Sequence, residues 1–364
     1  MKLFSMYNLG NIELKNRFVM APLTRSRAIN NIPNELMAAY YRQRASAGLI
    51  ITEGTSPSAN GLGYARIPGI FNEEQIKGWK KVTDAVHEEA GKIFVQLMHT
   101  GRVSHSENMA EGTEILAPSA VTFVGEMYTD TKGMQPYLVP KEMTLEDIEN
   151  AQNEYVEAAK NAITAGFDGV EVHGANGYLI DQFINPASNQ RKDNYGGSKE
   201  NRSRFAIEVA QKVVAAIGAE KTGIRLSPYG VFNGMEVFEG LEDTFEYLAG
   251  ELGKLKLSYI HIVDHSSMGA VEVTDSVKSK IRQAFGGIYI VSGGLDKANA
   301  EFALENDKGE LVAFGRSFLA NPDLVYRFEN DIELNAPDFD TFYTPGEKGY
   351  TDYPFTESNA TAAL

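Results

Sequence analysis

The chain has 364 residues, of which 43% are apolar and 23% are charged, as in an ordinary folded protein. It contains no cysteine, which excludes disulfides, thiolate metal ligands and cysteine nucleophiles. A formal net charge of −15 disfavours binding to nucleic acid or to an anionic membrane surface. The N-terminus lacks the apolar core of a signal peptide, and no run of 18 apolar residues, long enough to span a membrane, occurs in the sequence. We therefore expect a cytoplasmic protein that requires no protein partner.

The chain opens with a predicted hairpin and continues with short apolar runs. The hairpin lies in residues 3–15, where Leu9-Gly10-Asn11-Ile12 suits a tight turn. The runs that follow are nearly continuous in Val, Ile and Phe, which is typical of strands buried on both faces. We predict eight strands: Phe18–Leu23, Leu49–Glu53, Ile93–Met98, Gly169–His173, Gly223–Ser227, Tyr259–Val263, Ile288–Ser292 and Leu311–Gly315.

Helical patterns separate the predicted strands. Asn72 and Thr144 each suit an N-cap with an acceptor three residues on, and Gly166 is placed to end the second helix. Strands that alternate with helices indicate a parallel sheet, and eight such units favour a closed (β/α)₈ (TIM) barrel. An open doubly wound sheet would need G-x-G-x-x-G after a strand, and Gly61-Leu-Gly63 lacks the third glycine.

Two additions to the barrel are predicted. The N-terminal hairpin could plug the bottom of the barrel. Residues 103–143, after strand three, form an interval too long for a plain loop, and we expect a capping insertion over the carboxyl ends of the strands. With no linker or low-complexity tract, residues 1–364 are predicted to form a single domain.

Strands seven and eight end on glycines, where barrels commonly bind phosphate. Gly293-Gly294 and Gly315-Arg316 supply backbone N–H groups and a cation at adjacent strand ends. No lysine ends a strand, which disfavours a Schiff-base aldolase. No histidine or carboxylate cluster ends the early strands, which disfavours a metal site. These strand ends therefore favour an organic redox cofactor that carries a phosphate.

Several longer motifs resemble the Old Yellow Enzyme family of FMN-dependent ene-reductases and NADH:flavin oxidoreductases. The resemblance runs in order nearly from end to end of the chain. The motifs that carry it are Met20-Ala-Pro-Leu-Thr24-Arg25, Gln96-Leu-Met-His-Thr-Gly-Arg102, His173-Gly-Ala-Asn176-Gly-Tyr178 with its continuation to Arg202, Phe314-Gly-Arg316 with Ala320-Asn-Pro322, and Tyr350-Thr-Asp-Tyr-Pro354.

The resemblance implies FMN across the barrel mouth and NADPH or NADH as the reductant. Gly54 would let the backbone approach the flavin ring, Gln96 would bond its pyrimidine edge, and Arg225 would neutralise the reduced ring. The ring would lie over Pro22, Leu23 and Thr24, whose hydroxyl would donate to a ring carbonyl. The phosphate would be held by Gly293, Gly294, Gly315 and Arg316.

The family's catalytic and substrate-binding residues also have counterparts in this sequence. By likeness, His173 and Asn176 bind the carbonyl oxygen of the substrate, and Tyr178 protonates the α-carbon. Tyr64 and Tyr343 would line the substrate pocket. The resemblance therefore implies reduction of the activated C=C bond of small α,β-unsaturated carbonyl compounds with NAD(P)H, by ping-pong kinetics.

Alternatives remain open at this point. The same reduced flavin could pass hydride to nitro compounds or nitrate esters. Another FMN barrel could oxidise a hydroxyacid or dihydroorotate, and a flavin protein without turnover could act as a sensor or store. The sequence also departs from the family pattern at Met98, where a tryptophan is common. The flexible thioether should shape a different pocket and so affect substrate range and facial selectivity.

Overall fold

Eight parallel strands close into a barrel in the computed structural model, which describes residues 1–356. In chain order the strands are β1 (Tyr7–Leu9), β2 (Ile12–Leu14), β3 (Phe18–Met20), β4 (Leu49–Thr55), β5 (Ile93–Leu97), β6 (Leu116–Ala117), β7 (Glu126–Thr129), β8 (Gly133–Pro136), β9 (Lys141–Glu142), β10 (Gly169–Gly174), β11 (Thr222–Leu226), β12 (Tyr259–Ile262), β13 (Tyr289–Val291) and β14 (Leu311–Phe314). Around the barrel the order is β3-β4-β5-β10-β11-β12-β13-β14, and β14 pairs with β3. Every predicted barrel strand is present, and the predicted fold class is confirmed.

Helices follow the barrel strands and pack around them. They are α1 (Glu35–Arg42), α2 (Glu73–Glu88), α3 (Leu145–Thr164), α4 (Leu179–Ile184), α5 (Lys199–Ile217), α6 (Leu241–Lys254), α7 (Asp275–Phe285), α8 (Lys297–Glu305), α9 (Arg316–Ala320) and α10 (Leu324–Glu329). Short 3-10 helices lie at Lys2–Phe4, Ile29–Asn31, Ala59–Gly61, Ser106–Asn108, Ala219–Lys221, Phe232–Gly234, Ser266–Met268 and Phe339–Thr341. Within residues 1–356, no helix is both long enough and apolar enough to cross a bilayer.

The predicted helix caps are present. Asn72 accepts from the backbone N–H of Gln75 at the start of α2. Thr144 and Asp147 form a reciprocal capping box at the start of α3, and Gly166 follows that helix at φ +94°. These contacts satisfy N–H groups that a helix start leaves without intrahelical partners.

Replacing Thr144 with alanine should lower the free energy of unfolding by about 1 kcal/mol, because the first turn of α3 loses its side-chain acceptor. Urea denaturation followed by circular dichroism would measure the change. Thr164→Ala is the matched control, because that hydroxyl bonds the carbonyl of Lys160 in the last turn and caps no N–H group. Equal stability losses in the two variants would contradict a specific role of the cap.

The N-terminal hairpin closes the amino-terminal end of the barrel. β1 and β2 pair antiparallel around Gly10, which has φ +59°. Leu9 and Leu14 are buried against apolar side chains at the amino ends of the strands, among them Leu49 and Leu311. Burial of two leucines that the hairpin would otherwise expose explains why it docks there. The predicted hairpin is confirmed.

The C-terminal segment returns to the carboxyl end of the barrel and is held by buried arginines. Arg25 donates to the carbonyl of Gly349 (2.6 Å), and Arg27 donates to that of Thr341 (2.8 Å). Tyr350 stacks on Tyr40 of α1 with ring centroids 4.0 Å apart. These contacts place the segment beside the end of β3 and beside α1.

Residues 103–143 contain two small sheets. β6 pairs with β9 in parallel, and β7 pairs with β8 antiparallel. The Arg102 guanidinium joins this segment to the loop after β11, since it donates to the carbonyls of Val121 (3.3 Å) and Gly234 (3.0 Å). The insertion is thus connected to the carboxyl-terminal side of the barrel.

Candidate active site

A cavity of about 540 Å³ lies at the carboxyl ends of the barrel strands. It is large enough for a nucleotide-sized ligand. The C-terminal segment contributes Phe339, Phe342 and Tyr343 to its wall. The cavity gathers eight of the residues predicted to bind a cofactor: Pro22, Leu23, Thr24, Arg225, Gly293, Gly294, Gly315 and Arg316.

One end of this cavity has the features of an anion site. Gly293 and Gly294 have φ +141° and +73°, which favour glycine. A Cβ at Gly294 would also overlap the Ser267 side chain. The Arg316 side chain is exposed and makes no hydrogen bond or ion pair with any of residues 1–356. A close backbone approach beside a free guanidinium suits a phosphate group.

Beneath the cavity lies a buried polar layer inside the barrel. The Glu171 carboxylate accepts from Gln96 Nε2 (2.8 Å) and lies 2.9 Å from His261 Nδ1. Arg225 is next to this carboxylate, and its Nε is buried without a hydrogen-bond partner in the part of the chain that the structure describes. Burial raises the pKa of Glu171, but His261 and Arg225 outweigh it and lower that pKa overall. The carboxylate therefore remains ionised. Gln96 uses its Nε2 in this contact, and within residues 1–356 no group donates to its amide oxygen.

Sequence reasoning identified Gln96 and Arg225 but missed Glu171 and His261. The sequence did contain a signal for Glu171. Glu171 precedes His173 by two residues in one strand, so the two side chains lie on the same face of the sheet. The register completes the layer: Glu171 pairs with Gln96, and Arg225 pairs with both His173 and His261.

Gly54 and Gln96 do not line the cavity itself. Their strands pair after an irregularity between Ile51 and Gly54. A Cβ on Gly54 would overlap the Met98 side chain, which is buried with Leu62. The absence of a side chain at position 54 therefore makes room for the thioether, and this packing is a structural reason for glycine there.

His173 and Asn176 stand at the end of β10. Asn176 has φ +60°; its N–H donates to Ser227 Oγ (2.8 Å) and its carbonyl accepts from Asn233 Nδ2 (2.8 Å). His173 is buried, and its Nδ1 has no hydrogen-bond partner among residues 1–356. Burial, and then the charge of Arg225, lower the pKa of His173 well below its usual range. The imidazole is therefore neutral, and its Nδ1 is available for a further hydrogen bond.

Tyr178 lies beside this pair. Its ring centroid is 5.2 Å from that of His173, and its hydroxyl donates to that of Tyr64 at 3.1 Å. Burial raises the pKa of Tyr178 to about 12. The phenol is therefore protonated at neutral pH, as a general acid must be. The structure thus brings together four of the predicted catalytic and substrate residues: Tyr64, His173, Asn176 and Tyr178.

A barrel whose last two strands end at a cavity suited to an anion, with a neutral imidazole beside a protonated phenol, has the features of one class of protein, the cofactor-dependent barrel enzymes. The model of the NADH:flavin oxidoreductase / NADH oxidase family matches residues 2–335. The chain belongs to this family, known as the Old Yellow Enzymes, and is an FMN-dependent oxidoreductase of the ene-reductase type.

Relatives named as reductases agree with this assignment. The chain is 43% identical over 362 residues to a putative 12-oxophytodienoate reductase 3 of Oryza sativa subsp. japonica (98% of this chain, 93% of that protein). It is 44% identical over 352 residues to a probable flavin mononucleotide-dependent alkene reductase of Leishmania infantum (95% of each). A solved structure of morphinone reductase in complex with tetrahydroNAD has a TM-score of 0.93 and 42% identity, and the match covers 99% of each chain.

Proposed function

We propose that the enzyme reduces α,β-unsaturated carbonyl compounds with NAD(P)H, and that both reactants use one site in turn. The observation that carries this proposal is the neutral, buried His173, whose Nδ1 has no partner among the described residues, beside Asn176 and the protonated Tyr178. Donors three residues apart can converge on one oxygen. This arrangement suits a carbonyl better than a carboxylate, which would require cations.

The cavity residues fit FMN. Gly293, Gly294, Gly315 and Arg316 would hold its phosphate, and Arg225, with its buried unpartnered Nε, would face the ring. Thr24 and the free amide oxygen of Gln96 would bond polar edges of the ring. We also propose that Gly54 lies next to the ring. FMN held by these residues would supply the redox chemistry, the transfer of hydride from NAD(P)H to the substrate's β-carbon.

The protein's own side chains bind the carbonyl oxygen and transfer the proton. His173 and Asn176 donate to the carbonyl oxygen, which makes the β-carbon electrophilic and stabilises the negative charge that develops on oxygen. The Tyr178 hydroxyl then delivers its proton to the α-carbon. The Tyr64 hydroxyl accepts from Tyr178 and keeps the acid oriented.

Residues 103–143 and Tyr343 complete the pocket in this proposal. Tyr137 of the insertion and Tyr343 of the C-terminal segment both lie close enough to act electrostatically on Tyr178. Tyr343 also lines the cofactor cavity, and this residue is 62% exposed. We propose that the insertion caps a single barrel domain and that Tyr343 contacts the substrate at the mouth. The need for reduced nicotinamide supports a cytoplasmic location, which cell fractionation would test.

Anaerobic titration tests the function directly. NADPH or NADH should bleach the yellow holoprotein, and adding 2-cyclohexen-1-one should restore the oxidised spectrum within seconds. Steady-state kinetics should give parallel double-reciprocal lines. A bleached enzyme that the enone fails to reoxidise would overturn the proposed substrate class, whereas a colourless protein that takes up no FMN would overturn the cofactor site.

Replacing Arg316 with alanine should weaken FMN binding by about 10- to 100-fold, because a charge-assisted contact to phosphate is lost. Flavin fluorescence in the filtrate after dilution and ultrafiltration would measure the release. Arg42→Ala is the matched control, since Arg42 is an exposed arginine paired with Glu89 away from the cavity. Full retention of FMN by the Arg316 variant would place the phosphate elsewhere.

A further inference from the structure

His265 follows the end of β12 and contacts Asn176, although no sequence motif marked it. Its Nε2 lies 2.8 Å from Asn176 Oδ1. The ring packs edge-on against Phe232, with centroids 4.4 Å apart. The turn that contains Phe232 also contains Asn233, which holds the Asn176 carbonyl. His265 is therefore part of the support of the carbonyl pair and also lines the cofactor cavity.

The loop that carries His265 is fixed at its base. Asp264 accepts from the backbone N–H of Ser266 (3.0 Å) and forms an ion pair with Lys278 of α7 (2.6 Å). A Cβ on Gly293 would come within 3.1 Å of the Asp264 Cβ, so this loop also packs on the glycines of the anion site. The position of the imidazole is thus determined by contacts on two sides.

The backbone of Asn176 is held by two hydrogen bonds, so the main freedom left to this residue is rotation of its amide. One orientation presents the Nδ2 donor to a substrate oxygen, and the other presents the Oδ1 acceptor, which would repel it. In the structure Oδ1 faces His265, and Nδ2 is directed away from it. Reversing the amide would set Nδ2 against an Nε2–H donor.

We propose that His265 is a positioning residue that donates from Nε2 to Asn176 Oδ1 and thereby keeps Nδ2 aimed at the substrate carbonyl. This inference rests on the proposed carbonyl site and extends it by one residue. Burial, and then the charge of Arg225, lower the pKa of His265 to about 4. The ring is therefore neutral at pH 7 and has a single N–H to give, which the contact with Asn176 uses.

Phenol binding to the oxidised holoprotein tests this role without turnover. A phenolate stacked on oxidised flavin gives a long-wavelength charge-transfer band, and its oxygen occupies the proposed carbonyl position. His265→Phe keeps an aromatic ring against Phe232 but has no donor, and it should weaken phenol binding about 10-fold. His265→Gln, whose amide can donate, should recover most of the affinity. Val271→Ala, at an exposed position beyond the same loop, is the control and should bind as the wild type does.

A double-mutant cycle shows whether His265 acts through Asn176. In an Asn176→Ala background, His265→Phe should change phenol affinity by less than about twofold, because the amide that it orients is gone. Wild-type affinity in His265→Phe, equal losses in the Phe and Gln variants, or an unchanged loss in the Asn176→Ala background would each overturn the proposal. If phenol gives no charge-transfer band with the wild-type holoprotein, the proposed carbonyl site is rejected, and the proposed role of His265 is rejected with it. Flavin content of each variant confirms that the cofactor site is intact.

Discussion

Replacing Tyr178 with phenylalanine is expected to slow enone reduction by about 10²–10⁴-fold, the contribution typical of a positioned general acid. Reduction of the enzyme by NADPH should change by less than about threefold, because the phenol proton is not needed in that half-reaction. The expectation follows from the protonated hydroxyl of Tyr178 beside His173, where the α-carbon of a bound enone would lie.

Stopped-flow spectroscopy of each half-reaction measures these effects separately. Tyr64→Phe is the matched variant, since it removes the acceptor of the Tyr178 hydroxyl but leaves the acid in place. We expect that variant to slow enone reduction by about tenfold at most. Because the pKa of Tyr178 is raised to about 12, the wild-type enone half-reaction should not lose its proton donor below about pH 10. Equal slowing of both half-reactions by Tyr178→Phe would make this residue structural.

The barrel could be predicted from the sequence because its strands are buried on both faces. Runs such as Leu49–Glu53 and Tyr259–Val263 are nearly continuously apolar, with no alternation of apolar and polar residues. Helix caps such as Thr144 mark the positions where a helical pattern of apolar residues begins. The hairpin was similarly marked by the turn at Gly10. The end of β3 was predicted three residues too far along the chain, at Leu23, whereas the strand ends at Met20.

The site could be predicted only in part. Motifs along the chain identified His173, Asn176 and Tyr178, which lie within six residues of one another. Glu171 of β10 and His261 of β12 contact each other over the intervening strand β11, and this contact depends on a register that the sequence does not state. Such contacts come from strand pairing and loop packing, which are set by the whole fold and not by local pattern.

At Met98 the sequence departs from the family pattern, and neighbouring side chains pack around the thioether. The sequence predicted a differently shaped pocket from the thioether alone. In the structure Met98 is buried with Leu62 and Ile67, with Tyr64 and Tyr178 packed against this group, and it takes the space that a side chain at Gly54 would need. Met98 therefore belongs to the same group of side chains as Tyr64 and Tyr178. Exchanging Met98 should alter the substrate range and the facial selectivity without removing the reaction.

Replacing His173 with alanine is expected to weaken phenol binding and to lower the rate of enone reduction by about 10²–10³-fold, the loss typical of one oxyanion donor. The variant leaves Asn176 as the remaining predicted donor to the carbonyl oxygen. It also opens a cavity beside Arg225, so the flavin content of the variant must be measured first.

His173→Asn tests donation separately from ring packing, because its amide can still donate. That variant should retain more phenol affinity than His173→Ala. His87→Ala provides the matched control: this histidine lies at the end of α2, bonds Asp168 just before β10, and is remote from the carboxyl ends of the strands. If His173→Ala binds phenol with wild-type affinity while His87→Ala does the same, the carbonyl oxygen is held by other groups. A selective loss in the His173 variants assigns one of the two donor positions to the imidazole and leaves the second to Asn176, whose orientation then depends on His265.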